Sequence, residues 1–227
     1  MTNTYIISLG GSLIATQQGI EVNFLKEFRE VIINQVSKGD RFFIITGGGQ
    51  IARTSIESAN EIVALNNEQK DWIGIAATRL NASIVRNIFS EYGYEKVVHN
   101  PSEEIKTDKP IIVSGGWKPG HSTDFVAAFL AEKHNIKTII NLSNIDYVYT
   151  TDPRENPEAT LIKQTSWSEF QKIVGTQWEP GLNAPFDPIA SLRCAESTTR
   201  VIICHGKKMT NWVKIFNDEE FEGTVIQ

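Results

Sequence analysis

The chain is organised around the stretch GGWKPGHSTD at residues 115–124. An apolar run before it, at 111–113, predicts a buried strand, and the residues after it, 125–131, predict a helix. Glycines let a backbone approach a ligand closely, and the residue types at 122–124 cap the start of helices. The free N–H groups and positive dipole end of such a helix suit a phosphate. An ordinary strand-to-helix loop with a good cap would have the same pattern.

Two further glycine turns follow apolar strands nearer the start of the chain. Residues 5–9 predict a strand that ends in the turn 10–12, and residues 42–45 predict a strand that ends in the turn 46–49. Short strands that are apolar on both faces and alternate with helices predict a parallel sheet covered by helices. The three turns should then meet at the carboxyl edge of the sheet, where their N–H groups could hold a chain of phosphates.

Apolar periodicity and turn residues predict the remaining elements. Helices are predicted over about 24–36 (with Asn23 as cap and Gly39 as stop), 50–65, 71–92 (mostly buried), 167–174, from 187–188 onward, and 210–216. Strands are predicted at 96–98, 138–142, 161–162, 200–204 and 223–226, and loops at 144–157 and at 175–186, which contains Trp178.

Composition restricts the class of protein. The chain has 227 residues, of which 41% are hydrophobic and 22% charged, and a formal net charge of -5. These values are typical of a soluble globular protein, and the negative charge argues against a nucleic-acid-binding surface. No run approaches the roughly 20 apolar residues of a membrane span, and the start lacks the features of a signal peptide, so we expect a cytoplasmic protein. Cys194 and Cys204 are not at metal-ligand spacing and are expected to be small buried hydrophobes.

Two better-known phosphate motifs do not account for the turns. The P-loop pattern GxxxxGK[ST] is absent from the sequence. Residues 47–52 (GGGQIA) fit the dinucleotide fingerprint after a strand. The acidic residue about 20 positions on is Asp71, which follows a helix without the second strand that the dinucleotide fold requires.

Taken together, the motifs resemble those of a known family, the archaeal-type uridylate kinases of the amino-acid kinase superfamily. Seven short motifs occur in the family's order and spacing and extend over nearly the whole chain. They are Gly10-Gly11-Ser12, GGGxxAR at 47–53, DxxGI at 71–75, Thr78-Arg79, PGHSTD at 119–124, NxDxVYxxDP at 144–153 and Asp187-Pro188. Seven motifs in register are specific for the superfamily, whereas they are less specific for uridylate as the substrate.

The resemblance implies a three-layer α/β/α sandwich with a mainly parallel central sheet, the amino-acid kinase or carbamate kinase-like fold. It implies a single domain over 1–227, with an acceptor-binding lobe at about 1–135 and an ATP-binding lobe at about 136–227. The implied reaction is ATP-dependent phosphorylation of UMP to UDP by direct in-line transfer, with Mg2+ bound through the nucleotide phosphates. The implied assembly is a hexamer built as a trimer of dimers.

The resemblance also implies an acceptor site in the amino-terminal lobe. Its residues would be Gly48, Gly49, Arg53, Asp71, Gly120, His121, Ser122 and Thr123. Arg53 would hold the UMP phosphate, which suits guanidinium geometry, unless it is a solvated helix residue. Asp71 would accept a hydrogen bond from the ribose, unless it merely caps its helix. His121 fits a polar loop residue better than a base, because phosphoryl transfer needs positioning and charge neutralisation more than proton removal.

The family's donor and transfer residues map onto the remaining motifs. The residues implied to bind ATP are Gly10, Gly11, Asn144, Tyr149 and Asp152. The residues implied to act in transfer are Asp124, Lys118, Gly11 and Ser12. Asp124 would organise the centre where the phosphoryl group crosses. Tyr149 would lie beside the adenine or ribose, unless it is a packing residue of its loop.

The chain departs from the family in its lysines. Positions where the superfamily often has lysine here hold Ser8, Gln50 and Leu192, and Asp146-Tyr147 replaces an Asp-Gly pair. Losing one contact to the transferred phosphoryl group costs on the order of 3 kcal/mol, or about 100-fold in rate. The candidates to supply the missing charge are Lys118, Lys163 and Arg193. Lys118 is of particular interest because it lies within the third glycine turn.

Three hypotheses remain on this basis. The first is a kinase that makes UDP from UMP and ATP. The second is a nucleotide- or oxyanion-binding protein of the same fold that has lost efficient transfer and serves in regulation or storage. The third is a superfamily kinase with another small phosphate or carboxylate acceptor. Measuring ADP formation with a panel of acceptors would separate them.

Overall fold

A computed structural model describes residues 3–177 and 184–227 of the protein. The strands are β1 (Thr4–Leu9), β2 (Ala15–Thr16), β3 (Gly19–Ile20), β4 (Arg41–Thr46), β5 (Ile111–Ser114), β6 (Thr138–Ser143), β7 (Val148–Tyr149), β8 (Leu161–Ile162), β9 (Gln164–Thr165), β10 (Arg200–His205) and β11 (Thr224–Ile226). The helices are α1 (Gly11–Ile14), α2 (Val22–Ser37), α3 (Gly49–Ile62), α4 (Asn67–Ile88), α5 (Thr123–Lys133), α6 (Trp167–Val174), α7 (Pro188–Glu196) and α8 (Met209–Trp212), and a 3-10 turn covers Val213–Asn217.

Seven of the described strands form one central sheet in the order β5-β4-β1-β6-β10-β11-β9. Its neighbouring strands pair in parallel except for β10 and β11, which are antiparallel. Two small hairpins, β2 with β3 and β7 with β8, lie outside this sheet. The mainly parallel sheet predicted from the alternation of strands and helices is therefore confirmed.

Helices cover both faces of the sheet, because successive side chains of a strand point to opposite faces. In β4, Phe42 and Ile44 belong to one hydrophobic core, whereas Phe43 and Ile45 belong to the other. The first core is closed by α1, α2, α4 and α8, and the second by α5, α6 and α7. The fold is therefore the expected three-layer α/β/α sandwich.

Three helix boundaries differ from the predictions. The prediction of Asn23 as a cap is wrong, because α2 already begins at Val22 after Glu21, whose side chain makes no capping hydrogen bond. The third helix ends at Ile62, before residue 65. The fourth runs from Asn67 to Ile88 rather than over 71–92, because Asn66 and Gln69 form a capping box one turn earlier.

Three other predictions need correction. Residues 96–98 do not form a strand, since only Val98 makes a single bridge, to Ser114. The predicted helix at 210–216 is α8 followed by the 3-10 turn. Helix α4 is not mostly buried, because Trp72 and Leu80 are 47% and 52% exposed. Trp178 lies outside the described residues.

The two cysteines are buried and unpaired, as predicted. Burial raises the pKa of the Cys204 thiol to about 12 and raises the pKa of Cys194 as well. Both thiols therefore stay protonated and serve as packing groups. In the part of the chain that the structure describes, no helix combines the length and apolar character needed to cross a membrane.

Candidate active site

The three glycine turns lie at the carboxyl ends of three neighbouring strands. Since β5, β4 and β1 are adjacent, the turns that follow them meet at one edge of the sheet, as predicted. The first two turns touch through their backbones. A Cβ added to Gly11 would lie 2.2 Å from Gly49 N and 2.5 Å from Gly47 O, so only glycine permits this approach.

The second turn leads directly into α3. Gly48 precedes the helix and has no side chain with which to cap the first helical turn. Gly49 has a φ of 59°, in the left-handed region that side chains disfavour. The N–H groups of this first turn have no intrahelical acceptor and can donate to an anion.

Arg53 lies one turn into α3 and is exposed. Its Nη2 donates to Gln50 Oε1 at 3.0 Å. A cleft of about 240 Å³ is lined by Arg53, Gln50, Ser12, Thr16, Gln17 and Gln18. Arg53 and Ser12 therefore share one cleft, next to the amino terminus of α3.

Asp71 connects α4 to the third turn. Its Oδ2 accepts a hydrogen bond of 2.7 Å from Gly120 N–H. Asn66 is the capping residue of α4, which excludes the alternative that Asp71 merely caps its helix. Gly120 has a φ of 80°, so the turn itself needs glycine at this position.

The residues after Gly120 start α5. The Oγ of Ser122 accepts from Phe125 N–H at 3.0 Å and caps the helix, whose first residue is Thr123. The ring of His121 packs between Trp117 and Phe125, at centroid distances of 5.2 and 4.4 Å. His121 is therefore placed as a packed loop residue.

Lys118 is a cation within the third turn. Its Nζ lies 4.2 Å from the centroid of the Trp117 ring, a cation–π contact. Its side chain is exposed, and it makes no ion pair within residues 3–177 and 184–227. Lys118 is thus free to turn towards a bound anion.

The other candidate cations are less available to an anion at the turns than Lys118. Arg193 Nε pairs with Glu132 Oε2 at 2.6 Å, and its guanidinium lies over the rings of Phe125 and Phe129. Lys163 is exposed between β8 and β9, and β9 forms the sheet edge opposite to β5. Neither residue replaces the missing lysine charge at the turns.

Asp124 joins three elements at the centre of the site. Its Oδ1 accepts from Ser8 Oγ of β1 at 3.0 Å, and its Oδ2 accepts from Asp187 N–H, just before α7, at 3.3 Å. Part of the Asp124 residue is exposed to solvent, but its carboxylate group is enclosed by protein atoms. Burial, together with the neighbouring Asp187 carboxylate, raises the pKa of Asp124 to about 7. Because Ser8 stands where the family often has lysine, a hydroxyl rather than a cation faces this acid.

A second, larger cavity opens beside the carboxyl end of β6. It has a volume of about 1140 Å³ and is lined by three of the five residues predicted to bind ATP, Asn144, Tyr149 and Asp152. This volume is ample for a nucleotide. Gly10 N–H donates to Leu142 O at 3.0 Å, so the first glycine turn adjoins the β6 side of this cavity.

The polar groups of this cavity are held by ion pairs. Arg154 hydrogen-bonds both carboxylate oxygens of Asp152 and lowers the pKa of that carboxyl to about 2. Tyr147 also lines the cavity, at the position where the family has glycine. The preceding residue, Asp146, pairs with Lys208 at 2.7 Å.

Four polar residues near the site received no role from the sequence. Lys172 of α6 and Arg154 line the larger cavity. Arg79 and Asn81 of α4 donate to backbone carbonyls of the glycine turns. Arg79 belongs to one of the motifs, whereas the only signal for Asn81 is an asparagine in an otherwise apolar helical stripe.

The sequence model of the amino acid kinase family matches residues 3–205. A uridylate kinase of Methanococcus aeolicus is 34% identical over 224 residues, which cover 97% of this chain and 98% of the relative. A uridylate kinase of Methanobrevibacter smithii is 33% identical over the same shares of both chains. The crystal structure of uridylate kinase from Archaeoglobus fulgidus is similar with a TM-score of 0.78 at 29% identity, and the match covers 98% of this chain and 99% of that one.

Proposed function

Because this chain belongs to the amino acid kinase family, we propose that it transfers the terminal phosphoryl group of ATP to UMP and releases ADP and UDP. The observation that carries this proposal is the meeting of three turns with free N–H groups beside Asp124, next to a nucleotide-sized cavity. Near full-length relatives that are named uridylate kinase favour UMP as the acceptor.

UMP would bind in the amino-terminal lobe, about residues 1–135. The N–H groups at the start of α3 and the exposed guanidinium of Arg53 would hold its phosphate. Asp71 would exchange its hydrogen bond to Gly120 for one to a ribose hydroxyl, or share it. The acceptor turn would be completed by Gly120, His121, Ser122 and Thr123.

ATP would bind in the carboxyl-terminal lobe, about residues 136–227. Its base and ribose would occupy the larger cavity, with the ring of Tyr149 beside them and with Asn144 and Asp152 as hydrogen-bonding partners. Its phosphates would extend past the end of β6 to the first turn, where Gly11 and Ser12 supply N–H groups. Gly10, whose own N–H is bonded to Leu142 O, would let the phosphates approach this turn closely because it has no side chain.

Transfer would then be a direct displacement between the two nucleotides. A phosphate oxygen of UMP attacks the γ-phosphorus of ATP, the bond from that phosphorus to the bridging oxygen breaks, and ADP leaves. The attacking oxygen is already ionised, so no side chain has to remove a proton. Asp124 would hold β1, α5 and α7 in register around the crossing point, and the N–H groups of Gly11 and Ser12 with Lys118 would face the transferred charge.

Mg2+ fits this site as an ion that arrives on the ATP phosphates. Within the described parts of the chain, no three His, Cys, Asp or Glu side chains form a metal cluster, whereas Asp124 and Asp187 present carboxylate oxygens near the turns. These two residues would help to hold the ion. When bound, Mg2+ would neutralise charge on the phosphates.

The exposed apolar surface of α3 and α4 supports assembly of several copies. Ile62, Val63, Trp72 and Leu80 are large, apolar and exposed on or beside these two helices. A second copy of the chain would cover them, and the dimer would then join two acceptor lobes. We propose that three such dimers form a hexamer.

Purified protein with ATP and Mg2+ is expected to form ADP with UMP and not with AMP, GMP, glutamate or aspartate. The expected difference follows from a site that reads the acceptor by its base and ribose as well as its phosphate. A coupled ADP assay across this acceptor panel measures it. Binding of UMP without turnover would instead favour a nucleotide-binding protein, and turnover with another acceptor only would favour a different kinase of the family.

Replacing Lys118 by alanine is expected to lower kcat by about 100-fold at nearly unchanged KM for UMP. The reason is that Lys118 is the cation in the third turn without an ion pair among the described residues, so it is available to the transferred group. Lys163→Ala, at the opposite edge of the sheet, is the matched control and should keep wild-type rates. Equal kcat values for Lys118→Ala and the wild type would end this assignment.

A further inference from the structure

We propose that Asn81 and Arg79 of α4 are positioning residues, which pull the carbonyl groups of two glycine turns towards α4 so that the N–H groups of the same peptides point to the phosphates. Both residues touch backbone rather than ligand, so neither would be a catalytic residue. The inference rests on the proposed function only in taking the ligands to be phosphates.

Asn81 is fully buried and aimed at the second turn. Its Nδ2 donates to Gly47 O at 2.7 Å and lies 3.4 Å from Gly48 O. Its Oδ1 has no hydrogen-bond partner among the described residues. A buried oxygen without a partner is unfavourable, so packing alone would select an apolar residue of similar size at this position. The asparagine is therefore explained by its donor.

Holding the carbonyls sets the direction of the amides. In a planar trans peptide the C=O and the next N–H point in opposite directions, and the structure has no cis peptide in its described parts. With Gly47 O turned to Asn81, the N–H of Gly48 points away from α4. Gly48 O is shared between Asn81 and the N–H of Ala52 at 3.3 Å, so Asn81 and the first hydrogen bond of α3 together set the direction of the Gly49 N–H. The Gly49 nitrogen faces Gly11, whose added Cβ would lie 2.2 Å from it, so it lies at the junction of the first two turns.

Arg79 does the same for the third turn. Its Nε donates to Gly116 O at 3.2 Å and its Nη2 to Trp117 O at 2.9 Å. The N–H groups of Trp117 and Lys118 therefore point away from Arg79, and within the described residues neither donates to a backbone carbonyl. These are amides of the turn that holds Lys118.

Arg79 also brings a charge to a site that is short of lysines. It forms no ion pair with a carboxylate in the described parts of the chain, so its charge is not cancelled locally. Hydrogen bonds from a guanidinium polarise the two peptides whose amides face outward. Part of the charge lost at Ser8, Gln50 and Leu192 would thus reach the phosphates through the backbone.

One helix therefore orients two turns at once. Thr78, which precedes Arg79 in the same helix, accepts from Gly116 N–H at 2.7 Å and fixes the start of the third turn. Because Asn81 and Arg79 lie within one turn of α4, they also fix the spacing between the second and third glycine turns. Their separate contacts predict separate defects when each is changed.

The test uses the full chain with Asn81→Ala, Asn81→Leu and Arg79→Lys, and with Asn87→Ala as the control, an exposed asparagine of the same helix. Dissociation constants for inorganic phosphate and UMP are measured by calorimetry, the turn amides are followed by ¹⁵N NMR during phosphate titration, and kcat and KM are measured. The Asn81 variants should bind phosphate and UMP about 10- to 100-fold more weakly, with kcat at saturating UMP changed less than about threefold. Arg79→Lys cannot bond both carbonyls and should lower kcat about tenfold with little change in UMP affinity.

The outcomes separate this inference from the proposed function. If folded Asn81 variants bind phosphate as the wild type does and their Gly48 and Gly49 amides shift normally on titration, the positioning role is overturned. Should Asn81→Ala fail to fold, Asn81→Leu, which fills the buried space with a branched apolar side chain and has no donor, decides the question, and Arg79→Lys tests the third turn independently. A wild type that binds phosphate but does not turn over UMP would overturn the proposed function and leave the positioning role to be judged by phosphate affinity.

Discussion

Gly11→Ala is expected to lower kcat/KM for transfer by about 100-fold or more and to lower the free energy of unfolding by about 1–3 kcal/mol. The new methyl group would meet Gly49 N at 2.2 Å, Gly47 O at 2.5 Å and Gly48 C at 2.6 Å. All three atoms are backbone, so no side chain can move aside. The first two turns would have to separate, and the N–H groups of the donor and acceptor sites would no longer converge on one point.

The control for Gly11→Ala must lose stability without touching the site. Gly39→Ala meets this need, because Gly39 has a φ of 101° and lies beside the start of β4, at the opposite end of that strand from the glycine turns. It should destabilise the protein by about 1 kcal/mol and keep wild-type kinetics. Urea unfolding and steady-state rates are measured for both variants. Wild-type activity in Gly11→Ala would show that the contact between the turns is not needed for transfer.

Asp124→Asn is expected to reduce kcat by about 100- to 1000-fold. The carboxylate of Asp124 accepts from both Ser8 of β1 and the N–H of Asp187, so it lies where β1, α5 and α7 meet. It is also one of the two carboxylates proposed to hold Mg2+, and a neutral amide would hold that ion poorly. The amide keeps the shape and can still accept from Asp187 N–H while donating to Ser8, so the fold should survive. A variant that keeps wild-type kcat would remove Asp124 from the transfer machinery.

Asp124→Asn is also expected to stabilise the folded protein, and this stabilisation should appear only as the pH rises above about 4. The pKa of Asp124 is raised from 3.8 to about 7, chiefly by burial, so the folded state holds its proton more tightly than the unfolded state. Between about pH 4 and about pH 7 the unfolded chain has released this proton while the folded protein still holds it, so the wild type loses stability as the pH rises through this range. The amide of the variant cannot ionise, so the free energy of unfolding of Asp124→Asn should exceed that of the wild type by about 1–3 kcal/mol at pH 8 and by nearly nothing at pH 4.

Urea unfolding at pH 4, 6 and 8 measures this difference. Glu132→Gln is the matched control on α5, since Glu132 is exposed in part and pairs with Arg193 at the helix surface. It should show no stabilisation that grows with pH. A stability gain of Asp124→Asn that is equal at all three pH values would mean that the carboxyl titrates normally. Loss of activity with gain of stability is the pattern expected where a site keeps an unfavourable charge for function.

Much of the fold follows from local patterns. The runs FFII at 42–45 and IIV at 111–113 are apolar at every position, which predicts strands with a core on each face. The first run forms β4 inside the sheet, and the second forms β5, which pairs with β4 at the edge. Asp187-Pro188 predicts a helix start, and Asp187 does cap α7 through Ala190 N–H at 2.8 Å. Predictions failed where a pattern was weak. Asn23 is of a type that caps helices, but a residue can cap only where the chain before it is not already helical.

The site could be predicted in part for a similar reason. Glycine is needed where backbones touch, so the three turns and their meeting at one edge could be predicted from the order of strands and turns. The contacts that long side chains make could not be predicted from that order. The sequence allows Arg193 to extend to the turns. In the structure its guanidinium lies over Phe125 and Phe129 and pairs with Glu132. Asp71 binds the backbone of Gly120, 49 residues away, which no local pattern contains.

The chain's own order of residues thus settles which turns are rich in glycine, which strands precede them and that these strands are parallel, because backbone conformation and apolar periodicity act over a few neighbouring residues. Tertiary structure decides where the charges are. The raised pKa of Asp124 comes from burial and from Asp187, 63 residues away, against the opposing hydrogen bond from Ser8 of another strand. The direction of the turn amides depends on Asn81 and Arg79 of a helix that packs against the turns. Burial and long-range hydrogen bonds arise only when these segments come together. Neither the raised pKa of Asp124 nor the direction of the turn amides could therefore be predicted from the sequence.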